Sequence, residues 1–222
     1  MSQSLRQICR KVVAVGRNYI EHARELGNVI SHDPVVFLKP SSSIIEPGEK
    51  IRIPHGATEV HHEVELGLII GKELHEAKPS EIADAISGFV VALDMTDRAR
   101  QNRLKSLQLP WTLAKCFDTS CPVGPVLPSS LLPSNLFLEQ PNPQGQTLGL
   151  WLQVNGQERQ RGSVVCMIHP PVRLISFISH CMRLEPGDLI LTGTPAGVGP
   201  VRAGDVIRVG IDQLCDVEFP VI

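Results

Sequence analysis

His61-His62-Glu63-Val64-Glu65-Leu66-Gly67-Leu68-Ile69-Ile70 is the stretch that decides the fold. An extended chain sends alternate side chains to opposite faces. Val64, Leu66, Leu68 and Ile70 then share an apolar face, while His61, Glu63 and Glu65 share the other. The pattern predicts a long strand over 59–70, ended by Gly71-Lys72, with one face packed into a core. The next apolar run, 88–94, reads as a buried strand that ends on an acid, Asp94. An unpaired buried charge is very costly, so an acid in that position calls for a partner.

Working outward, the same reading gives further strands at 11–15, 35–38, 148–153, 158–161, 189–192, 206–210 and 217–221. Asn155-Gly156 is a hairpin signal. Pro47-Gly48-Glu49, Pro186-Gly187-Asp188 and Ala203-Gly204-Asp205 repeat one turn chemistry, each ahead of a short strand. Glycine followed by an acid is an easy entry into antiparallel pairing. Helices are predicted at 79–86, at 96–108, and at 172–182, where apolar residues fall at helical spacing. The segment 18–26 reads as a short helix or loop closed by Gly27-Asn28, and 122–143, rich in Pro, Ser and Asn, as a surface loop. Together these predict a mainly β (α+β) chain of mixed, curled sheets with a few peripheral helices, in one domain over 1–222.

Composition excludes several classes. The chain of 222 residues carries 21 Lys+Arg against 23 Asp+Glu and only 4% aromatics, so it lacks the field and stacking surface of a nucleic-acid binder. At 42% hydrophobic residues it is too apolar to be disordered. Its apolar runs are strand-sized, far short of a membrane span. Arg6, Arg10 and Lys11 precede the first acid, Glu21, which is faintly like an organelle transit peptide, but a core strand already starts at Lys11. The six cysteines form no Cys-x-x-Cys pair and read as reduced, mostly buried thiols. The expectation is a cytoplasmic protein.

Four constellations can carry chemistry. Glu63 and Glu65 on one face repel each other unless a divalent cation lies between them, and Asp94 offers a third oxygen. Three carboxylates without a thiolate suit Mg²⁺ or Mn²⁺. The alternative is a solvated sheet face, with Asp94 capping the helix that begins near Thr96. His61 and His62 read as structural. If 18–26 is helical, His22 and Glu25 share a face, and a carboxylate beside an imidazole makes a general base. The alternative is an ordinary polar surface helix. Lys115, in an apolar stretch, either extends to solvent or meets a substrate oxyanion. The glycines at 193, 197 and 199 let backbone approach a small anion, but match neither a P-loop nor a dinucleotide fingerprint.

The combination resembles the fumarylacetoacetate hydrolase superfamily, most closely its short acylpyruvase/oxaloacetate decarboxylase branch. The matching segments are Val15-Gly-Arg-Asn-Tyr19, Val36-Phe-Leu-Lys-Pro40, His61-His-Glu-Val-Glu-Leu-Gly67, Ala92-Leu-Asp-Met-Thr96, Leu109-Pro-Trp-Thr-Leu-Ala-Lys115, Ser120-Cys-Pro122, Val154-Asn-Gly156 and Ile190-Leu-Thr-Gly-Thr-Pro195 with Gly197-Val-Gly199. They span nearly the whole chain in family order. The resemblance implies a fold with a β-roll, a homodimer and a Mg²⁺ or Mn²⁺ site. It places metal ligands on Glu63, Glu65 and Asp94, and a water-activating pair on His22 and Glu25, within a lid over residues 17–33. It places a catalytic lysine on Lys115 and substrate contacts on Arg17, Gln101 and Thr194. Residues 27–33 depart from the family in composition, and 122–143 is similar to a loop that varies within it; both bear on substrate choice. The expected reaction is hydrolytic C–C cleavage of an acylpyruvate, a small 2-oxo acid. Oxaloacetate decarboxylation, keto–enol tautomerisation and hydroxymuconate isomerisation are the alternatives, followed by a non-catalytic binding protein on the same fold.

Overall fold

The computed structural model describes residues 4–25, 27 and 31–222. Its centre is a mixed six-stranded sheet. The strand order is Val35–Pro40, Lys11–Gly16, Leu189–Leu191, Val64–Ile70, Ile86–Leu93 and Leu127–Pro128. Lys11–Gly16 runs parallel to Leu189–Leu191, and the other neighbours are antiparallel. A four-stranded antiparallel sheet joins Gln157–Ser163, Gly149–Val154, Val206–Ile211 and Cys215–Pro220. A three-stranded sheet holds Gly199–Val201, Val60–His62 and Thr96–Asp97, and a parallel pair joins Ile44–Ile45 to Cys121–Pro122. The mainly β reading with mixed sheets and peripheral helices therefore stands.

The central strands are apolar on both faces because both are covered. Leu66, Leu68, Ile70, Phe89, Val91 and Leu93 belong to the larger core, and Ile69, Val90, Ala92, Leu189 and Leu191 to a second cluster behind it. Helix Pro171–Cys181 buries Val172, Leu174, Ile175 and Ile178 of the face its periodicity predicted, while Cys181 of that face is exposed. The three repeated turns are built alike. In each, the acid accepts from the backbone N–H three residues before it: Glu49 from Glu46 at 2.8 Å, Asp188 from Glu185 at 2.8 Å, and Asp205 from Arg202 at 2.7 Å.

Four expectations change. The strand over 59–70 is two strands, Val60–His62 and Val64–Ile70, that break at Glu63 and belong to different sheets. The helix expected from Thr96 begins at Arg98, and its N-cap is Asp97, which accepts from Arg100 N–H at 3.0 Å; Asp94 is free for another role. The cysteines are all free, but only Cys9 and Cys121 are buried. Cys166 and Cys181, the last residues of segments Val164–Cys166 and Pro171–Cys181, are exposed. The 122–143 segment sends Leu132 and Leu136 into the larger core. No helix among the described residues is long and apolar enough to cross a membrane.

Candidate metal centre and active site

The acids meet because of strand register. Glu65 pairs with Ala92, so both lie on the same sheet face, and Asp94 follows Ala92 on that face two residues later. Glu63 sits where the chain changes sheets, and its carbonyl accepts from Asp94 N–H at 2.9 Å. One carboxylate oxygen from each of Glu63, Glu65 and Asp94 lies within 4.8 Å of the other two, and all three residues are buried.

Two of these acids have cations. Lys115 Nζ donates to Glu63 at 2.9 Å, to Thr96 Oγ1 at 2.7 Å, and to Asp94. Arg98 pairs with Glu63 and donates to Gln101 Oε1 at 2.5 Å. Lys39, fully buried, donates to Asp94 at 2.7 Å and to the Lys115 carbonyl. Burial alone would push the Glu63 carboxyl up, but Lys115 and Arg98 override it and hold it well below the ordinary range. Burial would likewise push the Lys115 ammonium down, and Asp94 and Glu63 reverse that. Glu65 differs. It accepts from Gly193 N–H at 2.6 Å, and burial, then Asp94 and Glu63, push its carboxyl well above the ordinary range. A buried carboxylate crowded by two others is the signature of a site made for a cation. The all-oxygen donor set fits a hard divalent ion.

The facing wall comes from helix Ile20–Glu25. His22 is buried, and its Nδ1 lies 3.3 Å from the Glu25 carboxylate. A carboxylate accepts only, so Nδ1 carries the proton and Nε2 is left as the basic nitrogen. Gly197 N–H donates to both Glu25 oxygens, at 3.0 and 3.2 Å. Leu26 and residues 28–30 of the expected lid, including the Asn28 that was to close its helix, lie outside the described residues.

Between the walls lies a cavity of about 30 Å³ lined by Arg17, His22, Glu63, Glu65, Gln101, Lys115 and Thr194 among others. Of the nine residues singled out from sequence, seven line it. Asp94 lies beneath Lys115, and Glu25 stands behind His22. The Arg17 guanidinium lies 5.8 Å from the Trp111 ring. A larger hollow of about 720 Å³ lies against Phe37 and Trp111 too, but valines, leucine and prolines line it together with Arg10, Lys11 and Lys39, and no acid is among its described lining residues. The chemistry belongs to the smaller space.

Lys115 does not extend to solvent; it lies among the acids at 3% exposure. His61 and His62 are held by different partners. His61 bridges Glu59 at 2.7 Å and Arg98 at 3.4 Å, while His62 turns away to Gln160. Sequence reasoning missed Arg98, Lys39 and Gln160. Lys39 carried a signal, a lysine closing an apolar strand, the same argument that found Asp94. Arg98 stands three residues before Gln101 on one helix face. Gln160 sits in Gln157-Glu-Arg-Gln-Arg161, where nothing marks one polar residue as buried.

The sequence profile of the fumarylacetoacetate (FAA) hydrolase C-terminal family matches residues 11–222, and the chain belongs to that family. It is 48% identical over 213 residues to an Arabidopsis thaliana protein named oxaloacetate tautomerase FAHD1, mitochondrial, covering 95% of this chain and 90% of that one. It is 46% identical over 215 residues to a Dictyostelium discoideum protein named oxaloacetate decarboxylase, mitochondrial, covering 96% and 94%. Among solved structures, fumarylpyruvate hydrolase from Pseudomonas aeruginosa in complex with Mn²⁺ and pyruvate superposes with a TM-score of 0.86 at 33% identity, covering 96% of this chain and 90% of that one. The chain is thus an enzyme of this family, with an acidic triad able to hold a metal ion. The cytoplasmic expectation is corrected, since both curated relatives are named as mitochondrial. Thiol count and composition describe the folded core, whereas compartment is set by an address that the core does not encode.

Proposed function

We propose that this protein acts on oxaloacetate or a close 2-oxo dicarboxylic acid, interconverting its keto and enol forms with a divalent metal ion. The observation that carries the reading is one cavity with three buried carboxylates on one wall and a carboxylate-backed imidazole on the other. The names of the relatives direct it to oxaloacetate, ahead of the acylpyruvate hydrolysis expected from sequence. Decarboxylation of oxaloacetate is the second reading, favoured by the Dictyostelium relative.

Glu63, Glu65 and Asp94 would hold Mg²⁺ or Mn²⁺, which supplies Lewis-acid polarisation of a 2-oxo group and a template for its carboxylate. Three acids and three buried cations, Lys39, Arg98 and Lys115, nearly cancel. A divalent ion then leaves positive charge that an anionic substrate matches. Arg17 and Gln101 bind the substrate, and the Thr194 hydroxyl orients it. His22 Nε2 takes the proton from C3 of the keto form and gives it to the C2 oxygen to complete the enol, while Glu25 stabilises the intervening imidazolium through Nδ1–H. Lys115 stabilises the oxygen on which negative charge develops. The described residues 17–25 of the expected lid cover the site and exclude water during proton transfer.

The same reading takes the chain as one catalytic domain working as a homodimer. Leu38, Leu109 and Leu113, exposed at 47, 49 and 65%, offer apolar surface for a second copy. The test follows enol–keto interconversion, CO₂ release and acylpyruvate cleavage in parallel, with Mg²⁺, with Mn²⁺ and with chelator. Metal-dependent enol–keto turnover with the highest kcat/KM of the three is expected. A higher kcat/KM on acylpyruvates would return the hydrolase reading.

A further inference from the structure

Gln160 lies in strand Gln157–Ser163 between two exposed arginines, yet is 1% exposed. Its amide uses every hydrogen-bonding position. Oε1 accepts from Val64 N–H at 3.1 Å and from His62 Nδ1 at 2.9 Å. Nε2 donates to Thr194 Oγ1 at 2.8 Å and to the Pro195 carbonyl at 2.9 Å. The two acceptor bonds grip the residues on either side of Glu63, at the point where it leaves one sheet for another. The two donor bonds grip the loop that carries Thr194 into the cavity and, two residues beyond Pro195, presents the Gly197 N–H to Glu25.

That loop is seated on the Gln160 strand. A Cβ on Gly162 would meet Pro195, and one on Gly197 would overlap the Arg159 carbonyl oxygen. A fully satisfied buried amide fixes all its partners together, because losing any one bond strands a buried polar group.

We propose that Gln160 is a positioning residue that ties the metal-ligand wall to the proton-transfer wall, setting Glu63 and the His22–Glu25 pair in one frame. Its effect on turnover rests on the enolisation reading above; its effect on metal affinity and on the helix does not.

The test compares Gln160→Glu with Gln160→Met in the full chain. Gln160→Glu keeps acceptors for Val64 and His62 and removes the donors to Thr194 and Pro195. It is expected to leave Mn²⁺ affinity, measured by calorimetry, near wild type. It should lower kcat about tenfold with KM little changed, and speed hydrogen exchange at the Ile20–Glu25 amides about tenfold. Gln160→Met removes both ends and should weaken Mn²⁺ binding about tenfold as well. A residue that merely fills space would lower Tm in both variants while metal affinity, kcat and exchange at Ile20–Glu25 stayed at wild-type values, and that result overturns the proposal. If the wild-type protein fails to turn over oxaloacetate, the enolisation reading falls, and the affinity and exchange measurements still decide the role of Gln160.

Discussion

Glu65 leaves a strand paired on both sides, with Leu189–Leu191 and with Ile86–Leu93, whereas His22 sits on a helix of six residues. The acid wall is laced by Lys115, Arg98 and Lys39. The base wall is held at its foot by Asn18, whose side chain bonds His169 and Thr192 carbonyls at 3.0 and 2.8 Å, and at its far end by the Glu25–Gly197 contact. A helix this short has little stability of its own. The difference teaches that metal binding is prebuilt into the sheet, while proton transfer is assembled by a few contacts. Few-contact elements are the ones that open locally.

That division can be broken most directly at the acids. Glu65→Gln should weaken Mn²⁺ binding on the order of 100-fold or more and abolish activity with it. The metal-free protein should melt higher, because burial and its two neighbours disfavour the Glu65 charge. Calorimetry of both quantities checks this, and unchanged metal affinity would remove Glu65 from the site. On the other wall, His22→Gln should cut kcat on the order of 10²–10³-fold with metal affinity unchanged. A parallel loss of affinity would mean the walls are not separable.

A smaller effect is expected at Gly197, which has φ of +96° and no room for a Cβ. Gly197→Ala should cost on the order of 1–3 kcal/mol and displace the N–H that holds Glu25. In a kinetic and melting comparison, kcat should fall more than metal affinity does. The smallest effect is a pH slope. Burial pushes the His62 imidazole down to about 4, against an ordinary 6.5. The folded value is below the unfolded one, so its stability contribution is present above pH 6.5 and lost as pH falls toward 4. Melting across that window should decline less steeply in His62→Gln than in wild type. Equal slopes would mean that the His62 imidazole takes up its proton as readily in the folded chain as in the unfolded one, against the burial argument.

Much of this was readable in advance where the physics is local. Alternation placed Leu66, Leu68 and Ile70 in the core, Asn155-Gly156 turned its hairpin, and the three glycine–acid turns close with the same bond. His22 and Glu25, three residues apart, were legible as a helical pair for the same reason. The break at Glu63 was not legible, because Val64 N–H leaves the ladder for a side chain 96 residues away.

The sequence by itself determined the strands, the turns and the residue types of the site, since backbone sterics and side-chain alternation act over a few residues. Only the tertiary structure decided which polar residues are buried together. Glu65 takes a backbone N–H from 128 residues along the chain, Lys39 reaches Asp94 across 55, and Gln160 reaches Thr194 across 34. Burial of a charge or an amide is settled by what surrounds it in space, and a polar residue in a strand carries no local mark of that.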